Sequence, residues 1–339
     1  MRQRLLFLSV FLFSFIMSLA WFVYIQPFFR VSQLNLRTVV AGVQTGLNQN
    51  VRQWNGRVNF LILGTDDIEG RNGSGILTDT MIVLSLNVHT GKGVLIPVPR
   101  DLWLADEKTK INAMYYYGKT TNPAHPEQRS AEAVSVVLGV PIQYTVVTQL
   151  QTISEVIDAL GGVDIHVQKT FTDAIFPREG VDVTKEKDPN VLYETVTFTE
   201  GDHRMLGKEA LQYMRSRHST DLEEGTDDAR SRRQEQVMYA VIGAVKREVQ
   251  HKNALALGKL FAIYEKNFSQ ELPLPDLVAL AKTMKTNLVH IELKQHTIMP
   301  LLVHPAVAKY KQWVYEPIDP TWQKIHKDVS LALFGTIAE

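Results

Sequence analysis

Apolar and polar residues recur along this chain with two periods. From Val58 to Gly64, Thr80 to Asn87 and Val94 to Val98 the apolar runs are short, continuous or alternating, and bounded by turn residues, which predicts three strands. The stretch "NVHTGKG", residues 87–93, supplies a glycine-containing hairpin turn between the second and third. Pro97 and Pro99 mark the third as an edge strand or as one that ends there. Farther on, "EQRSAEAVSVVL" (127–138) predicts a helix, "QYTVVT" (143–148) a strand, "LQTISEVIDAL" (150–160) a helix stopped by Gly161-Gly162, and "VDIHV" (163–167) a strand. Residues 169–196 are polar and contain Pro177, Gly180 and Pro189, the pattern of a long surface loop. Helices follow near 206–215 and 228–249, then a helical region to about residue 288 and a mixed tail. Alternating strands and helices imply layered α/β or α+β architecture.

The amino terminus has neither period. Arg2 and Arg4 precede a charge-free run from Leu5 to Phe29, and about 20 apolar residues span a bilayer. A cleaved signal peptide is the rival, with Ser18-Leu19-Ala20 as a small-residue cleavage site. The apolar run continues past it through Trp21, Phe22, Val23 and Ile25, beyond the about 7–15 residues of a signal core, which favours an uncleaved anchor. Basic residues ahead of the span place the amino terminus in the cytoplasm and the rest of the chain outside the membrane. Residues 1–30 are thus expected to be tip and anchor, and the Gln- and Asn-rich 31–56 a connector with helical character. A domain is expected over 57–300, with a carboxy-terminal extension over 301–339.

Composition narrows the function. The 339 residues with 45% hydrophobic content suffice for a real core. Lysine plus arginine balance aspartate plus glutamate at 36 each, so no global field draws the chain to nucleic acid. The absence of cysteine removes disulfides, thiolate metal sites and a cysteine nucleophile. There is no Gly-x-Ser-x-Gly elbow and no Walker loop, "GSGILT" (73–78) is only a near miss to a dinucleotide fingerprint, and the ten histidines are scattered without a zinc pattern. Tyr115-Tyr116-Tyr117 fits an apolar groove or core packing.

The predicted strands carry the chemistry at their ends. If the first two are antiparallel neighbours, Asp66 after the first and Asp79 at the start of the second share one sheet edge, and the hairpin returns the third strand there with Arg100 and Asp101. Carboxylates brought close repel, and a hard cation removes the conflict. Magnesium is usually held by one or two carboxylates, water and substrate phosphate oxygens, which matches this inventory. Turn-capping aspartates are the alternative.

A second cluster lies at "YMRSRHSTDLEEGTDDARSRRQ" (213–234). Arg230, Arg233, Gln234, Val237, Val241 and Val245 fall on one stripe of the helix that opens near Asp228. The apolar part of that stripe faces a core, so Arg230 and Arg233 point inward, at the helix end where the dipole disfavours cations. A bound anion relieves that conflict, because helix amino-termini and arginine forks both hold phosphate. A salt-bridge network with Asp221, Glu223, Glu224, Asp227 and Asp228 is the alternative. Arg232 points elsewhere on the wheel, to solvent.

With "GTD", "TDTMIVLSLN", "IPVPRD", "KINAMYYYG", "ALGGVDIHV", "LGKEALQYMRSRH" and "RSRRQ" in this order, the chain closely resembles the LytR-CpsA-Psr family of membrane-anchored cell-wall proteins over roughly residues 58–245, and weakly to about 300. The resemblance implies an α/β fold with a central mixed sheet flanked by helices behind an amino-terminal transmembrane helix. It also implies a magnesium-dependent, extracytoplasmic phosphotransferase of the cell membrane. Members of that family join a glycopolymer carried on polyprenyl pyrophosphate, such as wall teichoic acid or capsular polysaccharide, to peptidoglycan by a phosphodiester. The partners implied are that lipid-linked donor, peptidoglycan and the bilayer through residues 5–29, with no nucleic acid.

By motif position, Asp66 and Asp79 match the magnesium-associated aspartates. Arg100, Arg215, Arg217, Arg230, Arg233 and Gln234 match residues that hold the lipid pyrophosphate, and Lys110 and Asn112 match a further motif. Asp227 falls at an acidic position three before Arg230. Asp79 and Asp101 are the candidates for taking the acceptor's proton. Leu77 stands where many members have an arginine, and the loop between Arg217 and Asp227 is long and acidic. A pyrophosphatase using the same residues and a membrane-bound regulator of envelope genes are the competing functions. The glycopolymer and acceptor sugar are not encoded legibly.

Overall fold

Strand β1 (Arg57–Thr65) pairs antiparallel with β2 (Thr78–Asn87), and β2 with β3 (Lys92–Pro97), as the alternation and the hairpin turn require. On the far side of β1, β6 (Tyr144–Gln149) pairs in parallel, and on the far side of β3, β11 (Glu292–Gln295) pairs in parallel. The five-stranded sheet therefore has the mixed order β11-β3-β2-β1-β6. The computed structural model describes residues 18, 21, 26–32, 36–65, 77–178, 181, 186–221 and 223–335, without the side chains of 227, 228, 286 and 289.

Both faces of the sheet are covered, which is why β1 is buried along nearly its whole length instead of on alternate residues. On one face Ile82 packs with helix α5 (Leu150–Ala159), helix α7 (Gly207–Arg215) and the long helix α8 (Asp227–His251). On the other, Met81 and Val83 pack with α3 (Met114–Thr121), α4 (Glu127–Leu138) and α12 (Gln323–Phe334), the two faces separating residues one apart in β2. Each fully buried leucine or isoleucine contributes about 1.5–3 kcal/mol. Gly161 and Gly162 end α5 with φ of 71° and 104°, left-handed positions that let strand β7 (Val163–Val167) start at once.

One expectation changes, and two strand pairings are added. The described part of 169–196 is not a loop: β8 (Phe171–Pro177) and β9 (Tyr193–Phe198) pair antiparallel, with a short helix α6 (Pro189–Leu192) between them. Their buried residues, Phe171, Phe176, Val196 and Phe198, join the core of α7 and α8. Strand β3 does end at Pro97, but it is not an edge, because β11 returns from far down the chain to cover it. And β10 (Gly201–Met205) adds a partner to β7 that precedes α7.

Most of the expected membrane span lies outside the described residues, and among the described residues no helix is long and apolar enough to cross a membrane. Helices α1 (Gln26–Ser32) and α2 (Leu36–Asn48) pack on α9 (Ala254–Asn267) and α10 (Leu274–Met284). Asp276 ties the segment after α2 by accepting from Gln49 at 2.6 Å and Arg52 at 3.1 Å. Strands β4 (Trp103–Leu104) and β5 (Thr109–Lys110) form a short ribbon, as do β12 (Leu302–Val303) and β13 (Glu316–Pro317), with helix α11 (Val307–Tyr310) between the last two.

Candidate functional site

Strand direction alone assembles the first half of the site. β1 ends at Thr65, opposite Thr78, so the residue after Thr78, Asp79, lies at the same edge. β3 returns the chain to that edge and hands it to a turn in which the Leu102 amide donates to the Pro99 carbonyl at 3.0 Å. That turn presents Arg100 and Asp101. The ribbon β4–β5 then sets Lys110 opposite Trp103, close to Asp101.

The side chains form a chain of alternating charge. Lys110 donates to Asp101 at 2.6 Å, Arg100 Nε lies 3.5 Å from the other Asp101 oxygen, and Arg100 donates to Asp79 Oδ1 at 2.6 Å. Arg230, from the first turns of α8, reaches Asp79 Oδ2 at 3.4 Å. Asp79 is thus gripped from two sides, with its side chain 18% exposed. Charge-assisted contacts of this kind are the stronger ones, and here they fix guanidiniums that would otherwise be buried without a counter-ion. The expectation for Asp66 falls outside the described residues, and among the described residues no group of three or more His, Asp or Glu is poised to hold a metal.

Helix α8 begins at Thr226, whose hydroxyl accepts from the Ala229 amide at 3.1 Å. Val237 and Val241 are buried, and Arg230, Arg233 and Gln234 are buried with them, as the stripe predicts. Gln234 accepts from the Thr80 hydroxyl at 2.9 Å, locking helix to strand beside Asp79. Arg233, only 3% exposed, is clasped by its own loop: it donates to Tyr213 O at 3.0 Å, to Ser216 O, and to Glu224 at 2.7 Å, with its guanidinium 4.6 Å from the Phe171 ring centroid. Burial pulls Arg233 below the usual arginine range, and Glu224 opposes that fall. Burial also pushes the neighbouring Tyr213 hydroxyl up to about 12. Inward orientation was legible, whereas the partner of Arg233 is the Glu224 carboxylate of the ion-pair alternative.

The long acidic loop is folded, not splayed. Asp221 accepts from the Glu223 and Glu224 amides at 2.9 and 3.0 Å and pairs with Lys169 at 2.7 Å, and that lysine contact holds Asp221 below the usual carboxylate range. Buried Asp173 accepts from the Arg217 and His218 amides at 3.0 and 3.2 Å. Arg215 and Arg217 are half-buried beside this loop, and they, like the buried Arg230, Arg233 and Gln234, do not line the cleft described below. Leu77 is exposed just before β2. Asn112 serves through its backbone, its carbonyl accepting from Thr78 at 3.2 Å and its amide donating to Arg100 O at 3.3 Å. Of the three tyrosines after it, Tyr115 is buried and Tyr116 and Tyr117 are exposed.

Asp79, Arg100, Asp101 and Lys110 open on a cleft of about 1210 Å³, walled on one side by Glu223, Glu224, Thr226, Ser231, Arg232 and Glu235 and on another by the tail residues Met299, Trp313 and Tyr315. Lys169 and Arg232 line it as well. Arg232 is exposed, as its place on the helical wheel implies, but it faces this cleft. The signal for Lys169 was hidden in a segment that reads as loop.

Similarity follows the same segments. The LytR_cpsA_psr family model matches residues 33–324. The protein named polyisoprenyl-teichoic acid–peptidoglycan teichoic acid transferase TagU of Bacillus subtilis strain 168 is 26% identical over 244 residues, covering 71% of this chain and 67% of that protein. Its namesake from Bacillus licheniformis is 24% identical over 243 residues, covering 70% and 68%. Among solved structures, B. subtilis TagV shares the fold with a TM-score of 0.55 at 20% identity, over 83% of this chain and 98% of that one. YwtF (TagT) with bound octaprenyl pyrophosphate lipid shares it with a TM-score of 0.51 at 18% identity, over 84% and 94%. With the family model matched from the connector to the start of α12, the chain belongs to the LytR_cpsA_psr family.

Proposed function

We propose that this chain is a phosphotransferase that moves a glycopolymer from polyprenyl pyrophosphate to peptidoglycan, forming a phosphodiester. The observation that carries the reading is Asp79 held between Arg100 at 2.6 Å and Arg230 at 3.4 Å, on the edge of the cleft. Relatives named teichoic acid transferases and a fold shared with a lipid pyrophosphate complex support it.

The acceptor hydroxyl attacks the phosphorus that carries the glycopolymer. A new P–O bond forms to the acceptor, the P–O bond to the lipid phosphate breaks, and polyprenyl phosphate leaves. Asp101, fixed by Lys110, takes the hydroxyl proton. Arg100, which lines the cleft, stabilises charge on the transferring group and the leaving phosphate, with Arg230 behind Asp79 adding positive potential, the electrostatic contribution on which phosphoryl transfer chiefly depends. Gln234, through Thr80, keeps α8 and its arginines in register with β2.

The carboxylates on the cleft support a role for magnesium in this reading. Five carboxylates line the cleft, Asp79, Asp101, Glu223, Glu224 and Glu235, against four cations, Arg100, Lys110, Lys169 and Arg232, so a pyrophosphate is accommodated best when a dication accompanies it. Asp79 with Asp66 would hold the ion, which when bound supplies Lewis-acid neutralisation of phosphate charge. Residues 5–29 would anchor the chain with its domain on the outer face of the membrane, where a lipid-linked donor presents its pyrophosphate. Helix α1, which begins with the last residues of that expected anchor, packs on α9.

The test is transfer from a synthetic lipid-linked donor to peptidoglycan, comparing wild type with Asp79→Ala, together with mass spectrometry of the lipid that co-purifies with wild type and Arg230→Ala. Joined product from wild type alone, and a polyprenyl phosphate or pyrophosphate lost from Arg230→Ala, is the expected result. Full transfer by folded Asp79→Ala overturns the site. Release of polyprenyl phosphate with no joined product makes the protein a pyrophosphatase.

A further inference from the structure

One wall of the cleft belongs to a segment that none of the motif residues occupies. Residues 313–315 run extended beside the site: the Tyr315 amide donates to Asp101 O at 3.0 Å, and the Trp103 amide donates to Tyr315 O at 2.8 Å. Alternation then puts Val314 into the interior, fully buried, and Trp313 and Tyr315 on the cleft side. The Trp313 ring lies on His304, centroids 3.3 Å apart, and His304 is itself fixed because its Nδ1–H donates to Val314 O at 2.7 Å. Tyr315 closes the group edge-on to both rings, 6.2 Å from His304 and 6.4 Å from Trp313. A large indole 53% exposed, yet backed on one side and tied at its base, is an odd expenditure for packing alone. Single exposed apolar residues are ordinary, but this one borders the cleft that holds Asp79 and Arg100.

We propose that Trp313, braced by His304 and Tyr315, is a saccharide-stacking wall of the cleft and receives a pyranose ring of the acceptor glycan. The inference rests on the transfer reading above and names where its second substrate binds. A pyranose offers one face of C–H bonds that packs on the electron-rich face of an indole, while its hydroxyl and amide groups need polar neighbours. Those neighbours are present: Asp101, Lys110 and Thr297 line the same cleft. A polyprenyl chain would need apolar walls without them.

Position selects the acceptor over the sugar of the donor. Contacts through the site run in the order Lys110, Asp101, Arg100, Asp79, Arg230, and the Trp313 segment is stitched to the Asp101 end. The donor's lipid phosphate belongs at the α8 end, where Arg232 in the first turns of the helix lines the cleft and Arg230 behind it holds Asp79. Attacking and leaving oxygens stand roughly in line in phosphoryl transfer, so the attacking hydroxyl arrives from the opposite end, past Trp313.

The experiment uses the full chain in detergent, with Trp313→Ala and the ring-preserving Trp313→Phe. In the transfer assay Trp313→Ala should raise the acceptor KM up to about tenfold, with kcat and donor KM unchanged, and Trp313→Phe should recover most of the loss. In parallel, a soluble peptidoglycan glycan fragment is titrated calorimetrically without donor, and its binding to wild type should weaken in Trp313→Ala. Because this arm needs no chemistry, fragment binding that depends on Trp313 in a protein that shows no transfer keeps the wall and sinks the transfer reading. Robust transfer with an acceptor KM indifferent to Trp313→Ala overturns the wall and leaves the transfer reading standing. A rise confined to donor KM assigns the ring to the donor's sugar and overturns it too.

Discussion

Arginines buried near opposite ends of the β1–β2 pair are partnered in different ways. Arg57 opens β1 opposite Asn87 and is 2% exposed. It donates to Ser85 Oγ and Ser85 O, both at 2.8 Å, and to Leu333 O at 3.0 Å, so neutral oxygens take its hydrogens and burial pulls it down to about 10. At the other end Arg230 and Arg100 share the Asp79 carboxylate, and Arg233 meets Glu224. Arg57 behaves as a structural rivet that stitches β1, β2 and the end of α12 together. Arg100 and Arg230 are held by an anion, which leaves them able to exchange one anionic partner for another, whereas Arg233 mixes the Glu224 carboxylate with backbone carbonyls and stands between the two kinds. Equal burial therefore says little about role, and the chemistry of the partners says much.

The sharpest way to break this comparison is Asp79→Ala. Removing preorganised charge from a phosphoryl site costs about 100- to 1000-fold in rate, and transfer per folded molecule should fall by at least that much, beyond the stability lost by leaving Arg100 and Arg230 without their counter-ion. If Asp79→Ala only lowers stability and the folded fraction remains fully active, the two ends are alike and the assignment fails.

Arg57→Met should give the opposite result. It leaves the Ser85 and Leu333 carbonyls without a buried donor, and each orphaned group costs about 1–3 kcal/mol, so urea unfolding should show a loss of about 3 kcal/mol. Transfer per folded molecule should be unchanged. A drop in specific activity would show that the sheet transmits strain along its length.

How much of this was readable in advance depended on whether partners were near in sequence pattern. Strands β1, β2 and β3 were legible because apolar runs between turn signals leave few alternatives, and their reversal of direction brought Asp79, Arg100 and Asp101 together without any contact being known. The inward turn of Arg230 and Arg233 was legible from the valines that share their stripe. The hairpin β8–β9 was not, because each strand buries only some residues, and the polar remainder with Pro177 and Pro189 imitates a loop. Strand β11, "ELKQ", has no hydrophobic signature and is a strand only because β3 offers it an edge. For the same reason Asp173, a buried carboxylate in the misread segment, and the Glu224 partner of Arg233 could not be foreseen.

Asp173 sharpens the comparison from within the site end. Among the described residues its carboxylate accepts from the backbone amides of Ile175, Arg217 and His218, so it resembles Arg57 in kind although it stands near the arginine loop. Asp173→Ala should cost about 2 kcal/mol in unfolding experiments and speed tryptic cleavage after Arg217. Unchanged cleavage would mean that Arg233, through its bonds to Tyr213, Ser216 and Glu224, holds the loop without Asp173.

The smallest expected effect concerns the cap that starts α8. The Thr226 hydroxyl accepts from Ala229, one turn ahead of Arg233 and immediately before Arg230. Thr226→Ala should cost about 1 kcal/mol, and Thr226→Ser should restore it. The more telling readout is transfer, because fraying the first turn loosens Arg230 against Asp79 while Gln234, a turn later and bonded to Thr80, stays seated. A modest fall in rate that follows the stability loss and is rescued by serine would make the cap part of how the guanidinium is aimed. If stability falls and transfer does not, Asp79 alone positions Arg230, and the anion-held end of the sheet is more self-contained than the helix geometry suggests.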